Sequence, residues 1–238
     1  AGAPAVQPLQ PLSFAESWMR TEEELDLTKS KVWKIAGGTW SIHSVREDVR
    51  TLNVEALPEA RRPQMDRSPN PFSVSCFADG DGGGLLWTGR WFWDDYDASV
   101  SVRNRGAGAV GLAFNVMAPD DYFLLRWESD TRVLAATPLQ LLRVRGEQRT
   151  SLGQVWVNGQ RNEWYNLAVR TCGTRIRAFL DEAPVMDLTH PECVGGGVGV
   201  YVEGGGEEAQ AYFDDVDVRT IHRLDYTSEA WTRRHVRA

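Results

Sequence analysis

The stretch WYNLAVRTCGTRIRAFLDEAPVMDL, residues 164–188, contains three short segments in which apolar and polar residues alternate. Cys172-Gly173 and Glu182-Ala183-Pro184 separate these segments. An alternation with a period of two is typical of half-buried β-strands, and glycine and proline favour the turns between strands. The stretch therefore predicts three antiparallel strands that follow one another as a meander.

The same pattern continues over most of the chain. Short runs rich in Val, Trp, Phe and Tyr recur from Thr39 to Ile221, and turn-forming pairs such as Asn158-Gly159 stand between them. Helical segments do not alternate with these runs, so the pattern favours an antiparallel arrangement. A chain of 238 residues is ordinary for one large sandwich. We predict an all-β fold, an antiparallel β-sandwich or jelly roll.

The two ends of the chain depart from the strand pattern. Residues 14–35 contain a helix-like stretch with a run of acidic residues, and residues 223–238 end in the basic sequence WTRRHVRA. We therefore predict an N-terminal arm with a short helix (1–35), a β-sandwich domain (36–222) and a C-terminal tail (223–238). The arm and the tail are expected to extend from the sandwich.

Composition limits the classes of partner. The formal net charge is −7, which provides no basic field for nucleic acid. The sequence contains no apolar run near the roughly 20 residues that a membrane helix requires. The opening AGAPAVQPLQPLS is similar to the residues that follow a signal-peptide cleavage point. This predicts a secreted or periplasmic protein, although an excised domain would begin in the same way.

Three blocks of sequence resemble a known family of folds. They are GLAFNVMAPDDYFLLRW (111–127), EWYNLAVRTCGTRIRAFLDEAPVMDL (163–188) and GGGVGVYVEGGGEEAQAYFDDVDVR (195–219). Together they are similar to concanavalin A-like jelly rolls, which include laminin-G-like lectin modules and sandwich hydrolases related to 3-keto-disaccharide hydrolases. The resemblance implies the fold, but this fold carries lectins, glycosidases and plain scaffolds, so it leaves the function open.

Asp214 is the candidate metal ligand. In a regular strand AYFDDVDVR, residues two apart share a face, which places Asp214 with Val216 and Val218. A carboxylate on a buried face needs a partner, and the resemblance implies that an aspartate at this place binds a structural Ca²⁺ together with backbone carbonyls. The alternative is an aspartate paired with an arginine or with backbone N–H groups.

The stretch GLLWTGRWFWDDYD, residues 84–97, is a candidate ligand site. Trp91, Trp93, Asp94 and Asp95 lie close together in it. Aromatic faces with neighbouring carboxylates are suited to sugar rings, because the ring CH groups pack on the aromatic face and the hydroxyls donate to the carboxylates. The alternative is that most of the tryptophans fill the core.

A second candidate surface combines Arg126 and Glu128 of one predicted strand with Asn115 of its partner. Such a polar row can be a ligand-binding floor or the solvent face of an antiparallel strand. For a hydrolase, the available acids would be Asp94, Asp95 and Glu128. No pair of them has the spacing of a known catalytic motif, so the chain is predicted to be non-catalytic.

The chain has three cysteines. The meander places Cys172 and the loop that holds Cys193 at the same end of a sheet, so a disulfide between them is geometrically allowed and would suit an oxidising compartment. The alternative is three thiols, with Cys76 as the third.

Three functions remain open. The first is a non-catalytic accessory subunit of a larger assembly, which binds other protein subunits through its arms. Its partner-binding candidates are the aromatic and arginine residues of the tail, types enriched at interface hot spots: Tyr226, Trp231, Arg233, Arg234 and Arg237. The second function is a carbohydrate-binding module, and the third is a glycoside hydrolase related to the 3-keto-disaccharide enzymes. A lectin should show a solvent-exposed tryptophan in a groove, whereas a structural subunit should bury its tryptophans and expose apolar tails.

Overall fold

The computed structural model describes residues 12–20, 25–44, 70, 72–77, 83–128, 136–159, 162–204 and 210–221. These residues form fifteen strands: β1 (Ser13–Glu16), β2 (Lys34–Ala36), β3 (Thr39–Ser44), β4 (Phe72–Phe77), β5 (Gly84–Thr88), β6 (Tyr96–Arg105), β7 (Ala109–Ala118), β8 (Asp121–Trp127), β9 (Thr137–Arg145), β10 (Gln148–Val157), β11 (Trp164–Cys172), β12 (Arg175–Leu180), β13 (Ala183–Thr189), β14 (Gly197–Glu203) and β15 (Gln210–Thr220).

The strands form two antiparallel sheets packed face to face. Sheet I has the order β13-β12-β11-β6-β15-β4-β3, and β1 adds to it by pairing with β15. Sheet II has the order β10-β9-β8-β7-β14-β5-β2. The predicted β-sandwich and the meander β11-β12-β13 are therefore confirmed. Within the range predicted to form strands, residues 131–135 lie outside the described residues, as does the predicted tail from residue 223.

The core lies between the two sheets. It receives alternate residues of each strand, as in β6, whose buried positions include Ala98, Val100 and Val102. Phe114 and Phe123 of neighbouring strands stack with ring centroids 5.5 Å apart. Each large apolar side chain buried in this way stabilises the fold by about 1.5–3 kcal/mol.

The predicted N-terminal helix is wrong. Residues 13–16 form β1, which pairs with residues 216–219 of β15, and the helical structure described before Lys34 is a single 3-10 turn, Leu27–Lys29. On the same side, β4 pairs with β15 only at residues 210–213. The backbone groups of residues 216–219 therefore need another partner, and this tertiary pairing outweighs helix propensity.

A cluster of hydrogen bonds fixes the chain after β1. Glu16 is 7% exposed, and its carboxylate accepts from Trp33 Nε1 at 3.0 Å, from Trp18 N at 2.9 Å and from Arg20. The rings of Trp18 and Trp33 lie 4.9 Å apart in the core. A buried carboxylate is tolerated here because several donors satisfy it.

A β-bulge explains the acidic run in β15. The register between β15 and β6 shifts between Asp214 and Asp217, and Asp215 has φ of 49°. The extra residue changes which face the following side chains occupy. Val216 and Val218 therefore face the core, whereas Asp214 pairs with Ser101 on the outer face of sheet I. The predicted common face for Asp214, Val216 and Val218 is wrong.

Sheet II is strongly curved. Arg149 of β10 donates to the hydroxyl of Tyr201 on β14 at 2.8 Å, although three strands stand between them. Four strand spacings would span about 19 Å on a flat sheet. The two side chains meet across the outer face of sheet II, which is therefore concave.

Within the described residues, no helix has the length and apolar character needed to cross a bilayer.

Candidate functional site

Two loops meet at the end of the sandwich where β6 and β14 begin. Residues 89–95 connect β5 to β6, and residues 190–196 connect β13 to β14. Gly196 N donates to Trp93 O at 2.8 Å. A Cβ on Gly195, where φ is 119°, would lie 2.7 Å from the same carbonyl. Glycine is therefore required where the two loops touch.

Between these loops and the strand ends lies a cavity of about 200 Å³, here called the loop-end cavity. Polar groups of Asp94, Asp95, Asn115 and Thr171 line it together with Cys193. The structure thus brings together two predicted ligand-binding acids and the predicted Asn115. Its lining is rich in oxygen acceptors, which suits a ligand that donates hydrogen bonds.

Asn115 is fixed from three sides. Its Oδ1 accepts from the Tyr96 hydroxyl at 2.9 Å, its backbone N donates to the same hydroxyl at 2.9 Å, and its Nδ2 donates to Cys193 Sγ at 2.9 Å. Its φ of 47° belongs to a register shift between Phe114 and Ala118. Asparagine tolerates this backbone conformation better than most residues. Burial raises the pKa of the Tyr96 hydroxyl, which keeps it protonated as a donor.

Asp95 ties three segments together. Its carboxylate accepts from Gly173 N at 2.5 Å, and its backbone carbonyl accepts from Ile221 N at 2.8 Å. The carboxylate of Asp94 lines the cavity from an exposed position. Asp95 therefore holds the geometry of the site, whereas Asp94 is available to a ligand.

The aromatic residues of the loop differ in exposure. Trp91 is 71% exposed and Phe92 is 58% exposed, and their rings meet edge to face at 5.6 Å. Trp93 is half-buried and packs on Phe14 at 5.8 Å, while Trp87 is 8% exposed. Packing therefore explains Trp93, which lies against the core, and Trp87, which lies in a separate apolar cluster with Leu85 and Tyr201. Trp91 is instead a solvent-facing aromatic residue on the loop that supplies Asp94 and Asp95 to the cavity.

Cys172 and Cys193 both lie at this end of the sandwich, as the meander predicted. Cys193 lines the cavity, and Cys172 ends β11 between Thr171 and Gly173, which also line it. Burial raises the pKa of the Cys193 thiol to about 12. The structure contains both residues as thiols, and the disulfide remains a prediction.

Arg126 and Glu128 lie elsewhere. Arg126 pairs in register with Gly111, four residues before Asn115 along β7, a separation of about 13 Å. Arg126 Nε donates to Glu203 at 2.7 Å, and its guanidinium also contacts Glu128. The predicted row of Asn115, Arg126 and Glu128 is therefore not one surface.

This second cluster is internally paired. Burial alone would raise the pKa of Glu203, but hydrogen bonds and charge from Arg126 and Arg149 outweigh burial and hold the pKa below its ordinary value. Arg126 also donates to Gln140 Oε1 at 3.0 Å. The guanidinium of Arg126 is largely occupied by protein acceptors, which makes the cluster a less available ligand surface than the loop-end cavity.

The carboxylate of Asp214 makes a local contact within β15. Its Oδ1 accepts from Asp215 N at 2.8 Å, which caps the bulge. The described part of the chain holds no group of three or more His, Cys, Asp or Glu side chains placed to share a metal. The side chains around Asp214 therefore do not form a calcium site by themselves, and calcium there remains a prediction.

The sequence interpretation missed several contributors to the site. Phe92 and Val194, 58% and 68% exposed, extend the apolar surface, and Tyr96 and Thr171 support the cavity from below. The run Gly195-Gly196-Gly197 is typical of a turn between strands. Three consecutive glycines also indicate that the backbone passes close to another segment, but they do not show which segment that is.

Known structures share the fold. The carbohydrate-binding module CBM66 from Bacillus subtilis matches with a TM-score of 0.56 and 15% identity over 81% of this chain and 98% of its own. The Crh5 transglycosylase in complex with NAG matches with a TM-score of 0.52 and 12% identity over 88% and 84%. The exoplasmic/lumenal domain of VIP36, in a Ca²⁺/Man3GlcNAc-bound form, matches with a TM-score of 0.50 and 15% identity over 84% and 89%.

Sequence comparison adds no closer relationship. No family model matches the chain, and no curated protein matches it. The structural neighbours are concanavalin A-like jelly-roll sandwiches, at identities that show the fold alone. The predicted concanavalin A-like jelly roll is confirmed.

Proposed function

We propose that this β-sandwich binds carbohydrate at its loop end, with Trp91 and Phe92 as the aromatic surface and the loop-end cavity as the polar subsite. The observation that carries the proposal is the 71% exposure of Trp91 on the loop that also supplies Asp94 and Asp95 to the cavity. A solvent-exposed tryptophan is one of the two features expected of a lectin; the other, its place within a groove, stays a prediction.

The chemistry of the site matches a sugar. One face of a pyranose ring presents CH groups that pack on an aromatic ring, while its hydroxyls donate to carboxylate and amide oxygens. Asp95 and Asn115 are already fixed by hydrogen bonds to Gly173 and Tyr96. A site that is ordered before binding loses little conformational entropy when the ligand arrives.

The structural neighbours support the same class of ligand. The printed descriptions of three of them name a carbohydrate-binding module, a glycan-bound form and a transglycosylase with NAG. Because these likenesses establish only the fold, the proposal for this chain depends on its own exposed aromatic residues and cavity.

Glycoside hydrolysis is less well supported. The two carboxyl groups of a glycosidase stand about 5 to 9.5 Å apart on either side of the scissile bond. Glu128 contacts Arg126 in the other cluster and does not line the loop-end cavity. Asp95 is held by Gly173 N. Of the two carboxylates that line the loop-end cavity, only Asp94 is therefore left for catalysis.

The accessory-subunit hypothesis depends on the tail, including Trp231 and Arg233, which lies outside the described residues. Binding to protein partners therefore remains a prediction. It is compatible with carbohydrate binding, because the tail and the loop-end cavity involve different residues.

The test compares two exposed tryptophans. Trp156 is 66% exposed and pairs with Pro138 near the end of β10, far from the loop end. Affinity of the protein for a panel of insoluble and gel-embedded polysaccharides should fall about 5- to 150-fold in Trp91→Ala, because stacking on an aromatic ring contributes about 1–3 kcal/mol. Trp156→Ala should retain the affinity.

Circular dichroism and thermal melts of both variants provide the folding control. Loss of binding in Trp156→Ala with unchanged binding in Trp91→Ala would refute the loop-end site. Absence of retention on every polysaccharide by the folded wild-type protein would refute carbohydrate binding itself.

A further inference from the structure

A second cavity lies on the other side of the loop 190–196. It has a volume of about 180 Å³ and is here called the donor cavity. Its lining consists of Arg143, Arg145, Gln148, Thr150, His190 and Glu192. These residues come from β9, from the start of β10 and from the loop that also carries Cys193.

The donor cavity contains N–H groups that remain available to a ligand. Arg145 is 61% exposed in its side chain, and the hydrogen bond described for it joins Nη2 to Glu192 Oε2 at 2.9 Å. A guanidinium has five N–H groups, so most remain available to a ligand. Glu192 N donates to His190 Nδ1 at 3.3 Å, so Nε2 is the ring nitrogen left to donate to a ligand.

Arg143 has a structural role instead. Its Nη1 donates to Tyr122 O at 3.0 Å, its Nε donates to Glu192 Oε2 at 2.9 Å, and it also pairs with Asp121. The side chain of Arg143 is 10% exposed. It is saturated by protein acceptors and orients Glu192, which leaves Arg145 as the cation that a ligand can reach.

The two cavities share one wall. Glu192 lines the donor cavity and Cys193 lines the loop-end cavity. Adjacent Cα atoms are about 3.8 Å apart. Adjacent residues of one loop therefore line the two cavities.

We propose that the donor cavity is an anion subsite, which binds the carboxylate or sulfate group of an acidic glycan whose neutral part occupies the loop-end cavity. This inference rests on the proposed function and adds the class of glycan. Arg145 is the specificity-determining residue, because it supplies the charge and the unoccupied N–H groups.

The overall charge makes the test informative. At −7, the chain repels polyanions at long range. Preferential binding of an anionic polysaccharide must therefore come from a local site. Raising the salt concentration would weaken both the repulsion and the local charge contact, so comparisons are made at one ionic strength near 0.15 M, where the Debye length is about 8 Å.

The experiment uses matched polymers in affinity electrophoresis. Polygalacturonate is compared with its methyl ester, and dextran sulfate is compared with dextran, so that carboxylate and sulfate are tested separately. The variants are Arg145→Gln and, as a control, Arg219→Gln, whose side chain is 72% exposed on sheet I. Both substitutions remove one exposed positive charge.

The expected result is that at least one charged polymer retards the protein more than its neutral partner. Arg145→Gln should lower that affinity about tenfold, the effect of one charge-assisted hydrogen bond, and Arg219→Gln should leave it unchanged. Equal retardation by charged and neutral polymers, or equal losses in the two variants, would overturn the anion subsite.

Trp91→Ala separates this proposal from the previous one. If it abolishes binding of both members of a pair while Arg145→Gln affects only the charged member, both proposals are supported. If Arg145→Gln abolishes binding of the charged polymer and Trp91→Ala changes nothing, the anion site stands and the aromatic site fails.

Discussion

Tyr96→Phe removes one oxygen atom beneath the loop-end cavity. Tyr96 is 0% exposed and Asn115 is 3% exposed. The hydroxyl donates to Asn115 Oδ1 and accepts from Asn115 N, each at 2.9 Å. The substitution therefore leaves a buried donor and a buried acceptor without this partner, at a total cost of about 2–4 kcal/mol.

That cost corresponds to a measurable change in stability. In domains of 150–250 residues, each kcal/mol lowers the melting temperature by roughly 2–4 °C, so Tyr96→Phe should melt about 4–16 °C below the wild type. Urea unfolding followed by tryptophan fluorescence gives the free energy of unfolding. The affinity for carbohydrate should also fall, because Tyr96 positions Asn115 without touching the ligand.

A double-mutant cycle with Asn115→Ala tests the contact itself. The coupling energy between Tyr96→Phe and Asn115→Ala should be about 1–3 kcal/mol. The control is Tyr212→Phe, whose buried hydroxyl donates to Gln210 at 2.7 Å and whose residue pairs with Arg103, about 23 Å from Tyr96 along β6. Additive effects of Tyr96→Phe and Asn115→Ala, or a cost no larger than that of Tyr212→Phe, would refute the reasoning.

Four other measurements test separate parts of the structure. Because neighbouring arginines hold the pKa of Glu203 below its ordinary 4.5, its stabilising effect is present above that pH and is lost as the pH falls below it, so Glu203→Gln should flatten the acid limb of the stability curve. Cys193, whose pKa is raised to about 12, should not react with iodoacetamide at pH 8 in the folded protein. In denatured, unreduced protein, one reactive thiol that maps to Cys76 would show the disulfide between Cys172 and Cys193, and three reactive thiols would exclude it. If Asp214 binds Ca²⁺, a chelator should lower the melting temperature of the wild type but not of Asp214→Ala; an unchanged wild-type melt would remove the metal. Deletion of residues 223–238 should leave the melting temperature nearly unchanged and release any protein partner, whereas a large loss of stability would show that the tail packs on its own domain.

The fold was predictable because its signal is local. In β6 and in the meander β11-β12-β13, alternate side chains enter the core, so the period of two is visible in the sequence itself. The stretch before Lys34 was not predictable in this way. Its structure depends on the vacant side of residues 216–219 of β15, a partner about 200 positions away along the chain.

The bulge at Asp214 was also hidden from the pattern. A regular period assigned Asp214 to the valine face, but one residue inserted at Asp215, with φ of 49°, reversed that assignment. Two adjacent aspartates in an otherwise apolar strand were a signal, because a bulge exposes residues that a regular strand would bury. The carboxylates of Asp214 and Asp217 are satisfied by Asp215 N and Arg219, which answers why this strand tolerates them.

The candidate site was predictable in part. Trp91, Asp94 and Asp95 are close in sequence, so the loop gathers them without any help from the fold. Asn115 was assigned to the wrong surface, because its register shift turns it toward Tyr96 and away from Arg126. The donor cavity had no local signal, since its arginines and His190 come from separate strands and loops.

The loop 190–196 connects the two proposed subsites through its backbone. A Cβ on Gly196, where φ is 138°, would lie 2.4 Å from the carbonyl carbon of Asn115, so this glycine sets how closely the loop approaches β7. The side chains that would contact a ligand, Trp91 and Arg145, belong to other segments. A change at Gly196 should therefore disturb both cavities together, whereas changes at Trp91 or Arg145 should affect one each. This separation between a shared backbone wall and independent contact residues is what allows the aromatic and anionic contributions to be measured apart.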